Sequence, residues 1–411
     1  MSSSHFSPAF FVANRQRLRD LANTTAPIVI TANGLLQRGA DGTYAFAQDA
    51  NFWYLTGIDE PDVILVMTPA EEYLIVPGRD DNRAAFDGTI DDNLLKNRSG
   101  ITTIFDVDAG WQKLAKAVQQ SPKIATVRAA PSYLENYGMY TNPARRRLLK
   151  QLKAIQADVE ISDIGKQLVR LRMIKQSAEL LAIQSAIDIT IATLQEVTQP
   201  ELLSKYEYEY QLEADISRGF RARGASGHAF EPIVAGGVRA CTLHNVANNS
   251  ALAANELIVL DVGAEVEHYA ADITRTVNPG LSTPRQLAVY SAVQDVQHYA
   301  AGLLKPGVLL AEYEHQIEHY MGKKLQELGL IKAITHDSVR HYYPHATSHF
   351  MGLNVHDAGD YSQPLQPGMI LTVEPGIYIT EEAIGVRIED DALITPDGSH
   401  LLSDKLSRAA T

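Results

Sequence analysis

Asp261, Asp272, His349, Glu374 and Glu389 each stand in or at the edge of a short apolar segment in the C-terminal part of this 411-residue chain. Carboxylates and an imidazole are costly to bury unless positive charge sits among them, and a divalent cation is the usual solution. Four carboxylates and one histidine point to two cations rather than one. Hard oxygen donors with a single imidazole suit manganese, cobalt, zinc or iron(II) better than copper or a thiolate zinc site. Any one of these acids alone reads as a strand-end carboxylate that reaches solvent or caps a turn, and His349 alone as a satisfied core histidine. Agreement across all five, in the order D-x10-D, then H, E and E at long spacings, carries the metal reading.

The segments around these residues read as strands. Residues 257–262 are a run of β-formers closed by Asp261 and Val262, and residues 269–277 read as the strand that returns beside it in the same sheet, with Asp272 inside it. Residues 369–373 form another apolar strand that ends at Glu374-Pro375-Gly376, and residues 385–391 alternate in character around Glu389. His349 lies in the stretch His345-Ala346-Thr347-Ser348-His349, followed by Asn354-Val355-His356-Asp357.

In these segments the chain resembles the pita-bread metallopeptidases of the M24B type, and among them the aminopeptidase P (Xaa-Pro aminopeptidase) branch. The resemblance rests on residues 232–237, Thr242-Leu243-His244, the strand of Asp261, residues 272–276, 348–357, 374–378 and 387–391. Near the start, Asn51-Phe52-Trp53-Tyr54-Leu55-Thr56-Gly57 with Glu60-Pro61, and Arg15-Gln16-Arg17-Leu18, are similar to the N-terminal domain of that branch. Methionine aminopeptidases share the metal site but usually lack this domain.

The resemblance implies that Asp261 chelates one metal, Asp272 and Glu389 bridge both, and His349 and Glu374 complete the second. Bridging carboxylates would screen two cations held close together, and a water between such ions ionises near neutral pH to become the nucleophile. It also implies that His244, His345 and His356 stand near the substrate, with Arg387 beside the bridging Glu389 and Tyr378 behind them. An Xaa-Pro bond has no N–H to offer, so an enzyme for it needs shape and acceptor-side contacts instead. Three residues depart from the family pattern. Ala346 follows His345 where glycine is usual, Asn245 follows His244 where tyrosine is usual, and His268 replaces the glycine before Tyr269. If the usual glycine before Thr347 is left-handed, Ala346 costs on the order of 1 kcal/mol.

The expected fold class is α/β (α+β): an N-terminal aminopeptidase P-type domain over residues 1–162, then a pita-bread catalytic domain over 163–411. Strands at 27–31, 63–67 and 73–76 alternate in the first part with helices at 110–120 and 144–157, an α/β pattern. A charged helical passage follows from Asp163 to Glu196, then helices at 204–223 and 284–304.

A net charge of −13 excludes nucleic acid as a natural partner, because phosphate backbones call for a basic surface. The run Arg145-Arg146-Arg147 reads as a solvated helix face. The one cysteine, Cys241, allows no intrachain disulfide and fits a reducing compartment, and no base is evident beside it for a nucleophilic role. The first 13 residues lack a signal-peptide pattern, and no apolar run reads as a bilayer span, so the expectation is a cytoplasmic protein without membrane association.

The functional expectation is a dimetal Xaa-Pro aminopeptidase acting on peptides with proline second, using Mn²⁺ as the family's usual metal, with Co²⁺, Zn²⁺ or Fe²⁺ as alternatives. The resemblance also implies a homo-oligomer, dimer or tetramer. Two other readings stand beside it: an Xaa-Pro dipeptidase (prolidase) sharing the same ligands, and a non-catalytic binding module on the same fold, against which the full ligand set argues. The same ligand set argues against a metal-free hydrolase of the creatinase type.

Overall fold

Short runs of Ile, Val and Leu suit strands that are covered on both faces. The computed structural model describes residues 4–128, 134 and 138–408. The chain divides into two compact units, Met1–Leu171 and Arg172–Thr411.

In the first unit, β1 (Ile28–Thr31), β2 (Ile64–Met67), β3 (Glu72–Ile75), β4 (Ile104–Phe105), β5 (Lys123–Thr126) and β6 (Glu160–Asp163) form one sheet in the order β4-β3-β2-β1-β5-β6. The central pairs β1–β2 and β2–β3 are antiparallel, and β3–β4, β1–β5 and β5–β6 are parallel. The domain boundary expected after residue 162 falls inside β6, whereas the first compact unit runs on to Leu171.

Helices Val107–Gln119 and Ala144–Ile155 cover this sheet through Leu114, Val118, Leu148 and Leu152, each pair four residues apart on one helical face. A side chain at Gly110 would meet Ile75 at 2.7 Å, which fixes glycine at that close approach. The Asn51–Thr56 motif lies in helix Ala50–Thr56, whose N-terminus is capped by Asp49. The tri-arginine run is not simply a solvated face: Arg145 pairs with the buried Asp49, and Arg147 reaches Asp62 at 3.1 Å.

The second unit contains β7 (Gly227–His228), β8 (Ile233–Gly236), β9 (Ile258–Val262), β10 (Ala264–Val266), β11 (Tyr269–Ala270), β12 (Ile273–Val277), β13 (Ile370–Val373), β14 (Gly376–Ile379), β15 (Ile384–Arg387), β16 (Asp390–Thr395) and β17 (Gly398–Leu401). They pair antiparallel in the sheets β11-β10-β7, β12-β9-β8, β13-β16-β17 and β14-β15. Helices Ser177–Val197, Glu209–Ala222, Pro284–Leu303 and Leu310–Glu327 accompany them.

Two strands expected to be continuous are broken. Residues 269–277 divide into β11 and β12 with Ala271 and Asp272 between them, and residues 385–391 divide into β15 and β16 with Ile388 and Glu389 between them. The cause is tertiary: β11 pairs with β10 while β12 pairs with β9, and β15 pairs with β14 while β16 pairs with β13. Each change of partner frees one acidic residue from a ladder.

The hairpin between β10 and β11 closes through two residues, Glu267 (φ 47°) and His268 (φ 69°), with Val266 opposite Tyr269. Two consecutive positive φ values are the type I′ geometry, which favours glycine or asparagine. His268 therefore stands at a position of real backbone strain. Ala346 does not, since its φ is not positive, so the expected left-handed penalty does not apply there.

Helix Ser177–Val197 is long and apolar enough, by length and composition, to cross a bilayer, which the sequence reading did not anticipate. Its buried residues, among them Ala182, Ile183, Ala186, Ile187 and Leu194, instead face β10, β11 and helix Glu209–Ala222. Thr190 accepts from the Ala264 amide at 3.0 Å, and the buried Glu179 accepts from the Tyr269 hydroxyl at 3.0 Å.

Candidate metal centre

β9 and β12 lie antiparallel with Asp261 directly opposite Thr274, so both side chains leave the sheet on one face. Asp272 sits one residue before β12, Glu374 one residue after β13, and Glu389 in the break before β16. His349 is tied to β13 by two hydrogen bonds to Thr372: its carbonyl accepts from Thr372 N at 3.0 Å, and its amide donates to the side-chain Oγ1 at 3.1 Å. The amide of Glu389 donates to Thr274 O at 3.0 Å. Two sheets and the His349 segment thus converge on one point.

The ligand atoms of Asp272, His349 and Glu389 lie within 4.8 Å of one another, and all three residues are buried. His349 Nε2 is 3.4 Å from Asp272 Oδ2 and 3.5 Å from Glu374 Oε1. Asp261 Oδ1 is buried with no hydrogen-bond partner among the described residues. Nine of the ten site residues named from sequence, Asp261, Asp272, His349, Glu374, Glu389, His244, His345, His356 and Arg387, line a single cavity of about 770 Å³, and the tenth, Tyr378, is not in its lining. Phe230, Leu243, Val246, Val355 and Tyr361 supply its apolar wall.

The electrostatics of the acids are those of a site short of positive charge. Burial, then the neighbouring carboxylates, raise Asp272 and Glu389 well above the ordinary carboxyl range. Burial also lifts Glu374 to about 7, against the opposing pull of His349 and Arg387. One guanidinium cannot balance four carboxylates. An oxygen-rich donor set with an unpartnered buried carboxylate oxygen fits divalent ions of the hard or borderline kind.

Arg387, expected close to Glu389, lies near it but makes its direct bonds to other groups. Its guanidinium bonds to Asp261, donates from Nη1 to the Tyr378 hydroxyl at 3.0 Å and from Nε to Thr274 Oγ1 at 3.2 Å. Thr274 in turn donates to Glu389 Oε2 at 2.6 Å, so one hydroxyl links the guanidinium to the glutamate. Thr274 is not among the residues expected at the site, although it stands two residues after Asp272, on the same face of an extended chain.

His345 Nε2 lies 2.8 Å from the Tyr378 hydroxyl and its Nδ1 lies 2.8 Å from Ala346 O. Because Arg387 donates to the tyrosine oxygen, the tyrosine proton is directed to Nε2, and Nδ1 carries the ring hydrogen toward the carbonyl. Burial and the Arg387 charge hold this imidazole neutral, lowering it to about 3. The His356 ring packs 4.0 Å from that of His349, and burial with the neighbouring His349 and His244 lowers it to about 4. Cys241 is partly buried, its sulfur 3.4 Å from Ile384 O, and burial raises its thiol. That environment disfavours the thiolate.

Comparison with known proteins agrees with this geometry. Residues 182–396 match the profile of Metallopeptidase family M24, and residues 11–125 match that of the aminopeptidase P N-terminal domain. The human Xaa-Pro aminopeptidase 3 is 33% identical over 93% of this chain and 79% of its own length. Among solved structures, the aminopeptidase PepP of Pseudomonas aeruginosa superimposes with a TM-score of 0.86 at 27% identity, covering 98% of this chain and 96% of that one. Aminopeptidase P from E. coli with the inhibitor Pro-Leu gives 0.86 at 26% identity, covering 99% and 97%. With the profile match spanning the segments that converge on the acidic cavity, the chain belongs to metallopeptidase family M24, in its Xaa-Pro aminopeptidase branch.

Proposed function

We propose that this protein is a dimetal Xaa-Pro aminopeptidase that releases the N-terminal residue from peptides whose second residue is proline. The observation that carries the reading is the convergence of four carboxylates and His349 on one cavity that also holds His244, His345, His356 and Arg387. In this reading Asp261, Asp272, His349, Glu374 and Glu389 would hold the divalent ions. Such ions, when bound, supply the charge that activates water and polarises the scissile carbonyl.

The chain's own groups do the rest. Arg387 fixes Asp261 and, through Thr274, Glu389, so both acids keep their orientation as substrate comes and goes. Neutral His345, locked in one tautomer by Tyr378, adds no charge beside the scissile bond. His356 and His244 offer ring N–H donors to the carbonyl side of the substrate, where a donor set in place before reaction stabilises developing negative charge. Phe230, Leu243, Val246, Val355 and Tyr361 give a surface against which a proline ring packs without needing an N–H, and they exclude water.

Manganese is the metal we propose, on the donor chemistry and the family pattern, with cobalt, zinc and iron(II) compatible with the same ligands. Residues 1–162 serve as the N-terminal aminopeptidase P-type domain and 163–411 as the catalytic domain of a homo-oligomer. A single cysteine supports a cytoplasmic site of action. The match over residues 11–125 favours the aminopeptidase over prolidase.

The test is hydrolysis of Gly-Pro, Ala-Pro-Ala and Ala-Ala-Ala by chelator-stripped protein with and without Mn²⁺. Metal-dependent cleavage of Ala-Pro-Ala with little on Ala-Ala-Ala is expected. Cleavage of Gly-Pro alone would mean prolidase, and no cleavage with any of the four metals would leave a binding module.

A further inference from the structure

Three charged side chains are buried together beside the cavity but outside its lining. Arg172, Lys175 and Asp357 have side-chain exposures of 4%, 1% and 2%. Arg172 Nη2 bonds to Asp357 Oδ1, Lys175 Nζ donates to Asp357 Oδ2 at 3.1 Å, and Lys175 Nζ also donates to Arg172 O at 2.7 Å. A buried ion cluster is poor value as a source of stability, because well-packed apolar residues of similar volume often do as well or better. What such a cluster does supply is a fixed geometry for whatever it holds.

What it holds is the segment that carries two of the site's imidazoles. Asp357 follows His356 directly, and its amide donates to Phe350 O at 2.7 Å, closing the neck of the loop between them. The same carbonyl lies 3.2 Å from His349 Nδ1. Inside the loop, Gly352 lies so close to the cluster that a side chain there would meet Asp357 Oδ2 at 2.3 Å and Lys175 Nζ at 2.8 Å. Gly352 O accepts from Ala270 N at 2.9 Å, two residues before Asp272. The cluster therefore packs against the loop, and the loop in turn bonds to the strand that leads to Asp272.

We propose that Asp357, clamped by the buried cations of Arg172 and Lys175, is a positioning residue for His356, setting its ring against His349. The inference rests on the peptidase reading for the role of His356, but not for its placement. Without the clamp the Asp357 end of the loop loses both of its ion pairs, and the His356 ring can swing away from the substrate.

Asp357→Asn keeps side-chain shape and the amide that reaches Phe350 while removing the countercharge of both cations. Turnover of Ala-Pro-Ala should fall about 10- to 100-fold, the range typical for a residue that orients another, with metal content unchanged. A crystal structure of the variant should show the His356 and His349 rings separated beyond their present 4.0 Å. In a His356→Ala background the same change should cost less than about twofold, because the group it positions is gone.

Should Asp357→Asn fail to fold, the combined variant Arg172→Met, Lys175→Met, Asp357→Leu replaces the cluster with apolar side chains. It should melt near or above the wild type and still turn over slowly. Three results would each overturn the proposal: wild-type turnover in the combined variant, rings unmoved in the crystal, or losses from Asp357→Asn and His356→Ala that multiply. If the wild type itself does not cleave Ala-Pro-Ala, the peptidase reading fails, and the ring separation still decides whether Asp357 positions His356.

Discussion

Arg387 and Asp261 are joined by a buried ion pair although 126 positions separate them in the chain. The arginine is the last residue of β15 and the aspartate lies within β9, so the pair spans two sheets. Each partner has a second task. Arg387 also binds Tyr378 and Thr274, and Asp261 also faces the cavity.

Replacing Arg387 with Met should therefore disturb three groups at once. We expect kcat/KM for Ala-Pro-Ala to fall about 100-fold, near the upper range for loss of a residue supporting metal ligands, with weaker metal retention on dialysis. Steady-state kinetics with metal analysis reads both. A variant within a factor of about two of wild type would remove Arg387 from the machinery.

Asp272 and Glu389 stand where strands change partners, and in the proposed reading each would serve both ions. Changing either to Ala should abolish turnover and lower the bound metal per chain, measured by elemental analysis after gel filtration. Near-normal turnover in either variant would sink the two-ion reading.

Acid stability in the first unit should depend on Glu72. Burial pushes this carboxyl up, but the Arg15 guanidinium, bonded at 2.8 and 3.1 Å, and the nearby Arg19 outweigh burial and hold it below its ordinary value. A lowered folded-state value means that the stabilisation is present above the unfolded pKa of about 4.3 and is lost as pH falls through the lower folded value. Glu72→Gln should cost roughly 2 kcal/mol at neutral pH, the scale of a charge-assisted hydrogen bond, and that difference should shrink below about pH 4. Chemical denaturation of both forms between pH 3 and about pH 7 tests this. A pH-independent difference would show that the carboxylate charge plays no part.

His268→Gly should stabilise the protein by roughly 0.5–1 kcal/mol, because glycine takes the second position of a type I′ turn without strain. Thermal unfolding is the readout. A lowered melting temperature would mean that the histidine side chain contributes more than its backbone costs.

The sequence made Asp261 and Glu374 legible because each ends or interrupts an apolar run, a local signal. The pairing of β9 with β12 was legible for the same reason. Asp272 and Glu389 were found as acids but placed inside unbroken strands, since nothing local marks the point where a strand leaves one partner for another. The link from Arg387 to Asp261, and from Thr274 to Glu389 across 115 positions, is long-range and leaves no trace in spacing. Arg145 looked solvated because its partner Asp49 lies 96 positions away. Helix Leu310–Glu327 went unread among its mixed charged and apolar residues.

Helix Ser177–Val197 has a consequence for how the chain is made. Its only acid within the first turn, Glu179, waits for a hydroxyl on Tyr269, 90 positions further on. The strands that cover its apolar face, β10 and β11, also come from that later stretch. At about 5–20 residues per second, the face of this bilayer-length apolar segment that β10 and β11 cover waits roughly 5–20 seconds for them, although helix Glu209–Ala222, which packs on another part of it, emerges sooner. That face of the newborn chain is thus open to chaperones, and to mistaken membrane targeting, in the interval between those two residues. Crosslinking of stalled chains that end before and after Tyr269 would show that interval open and close.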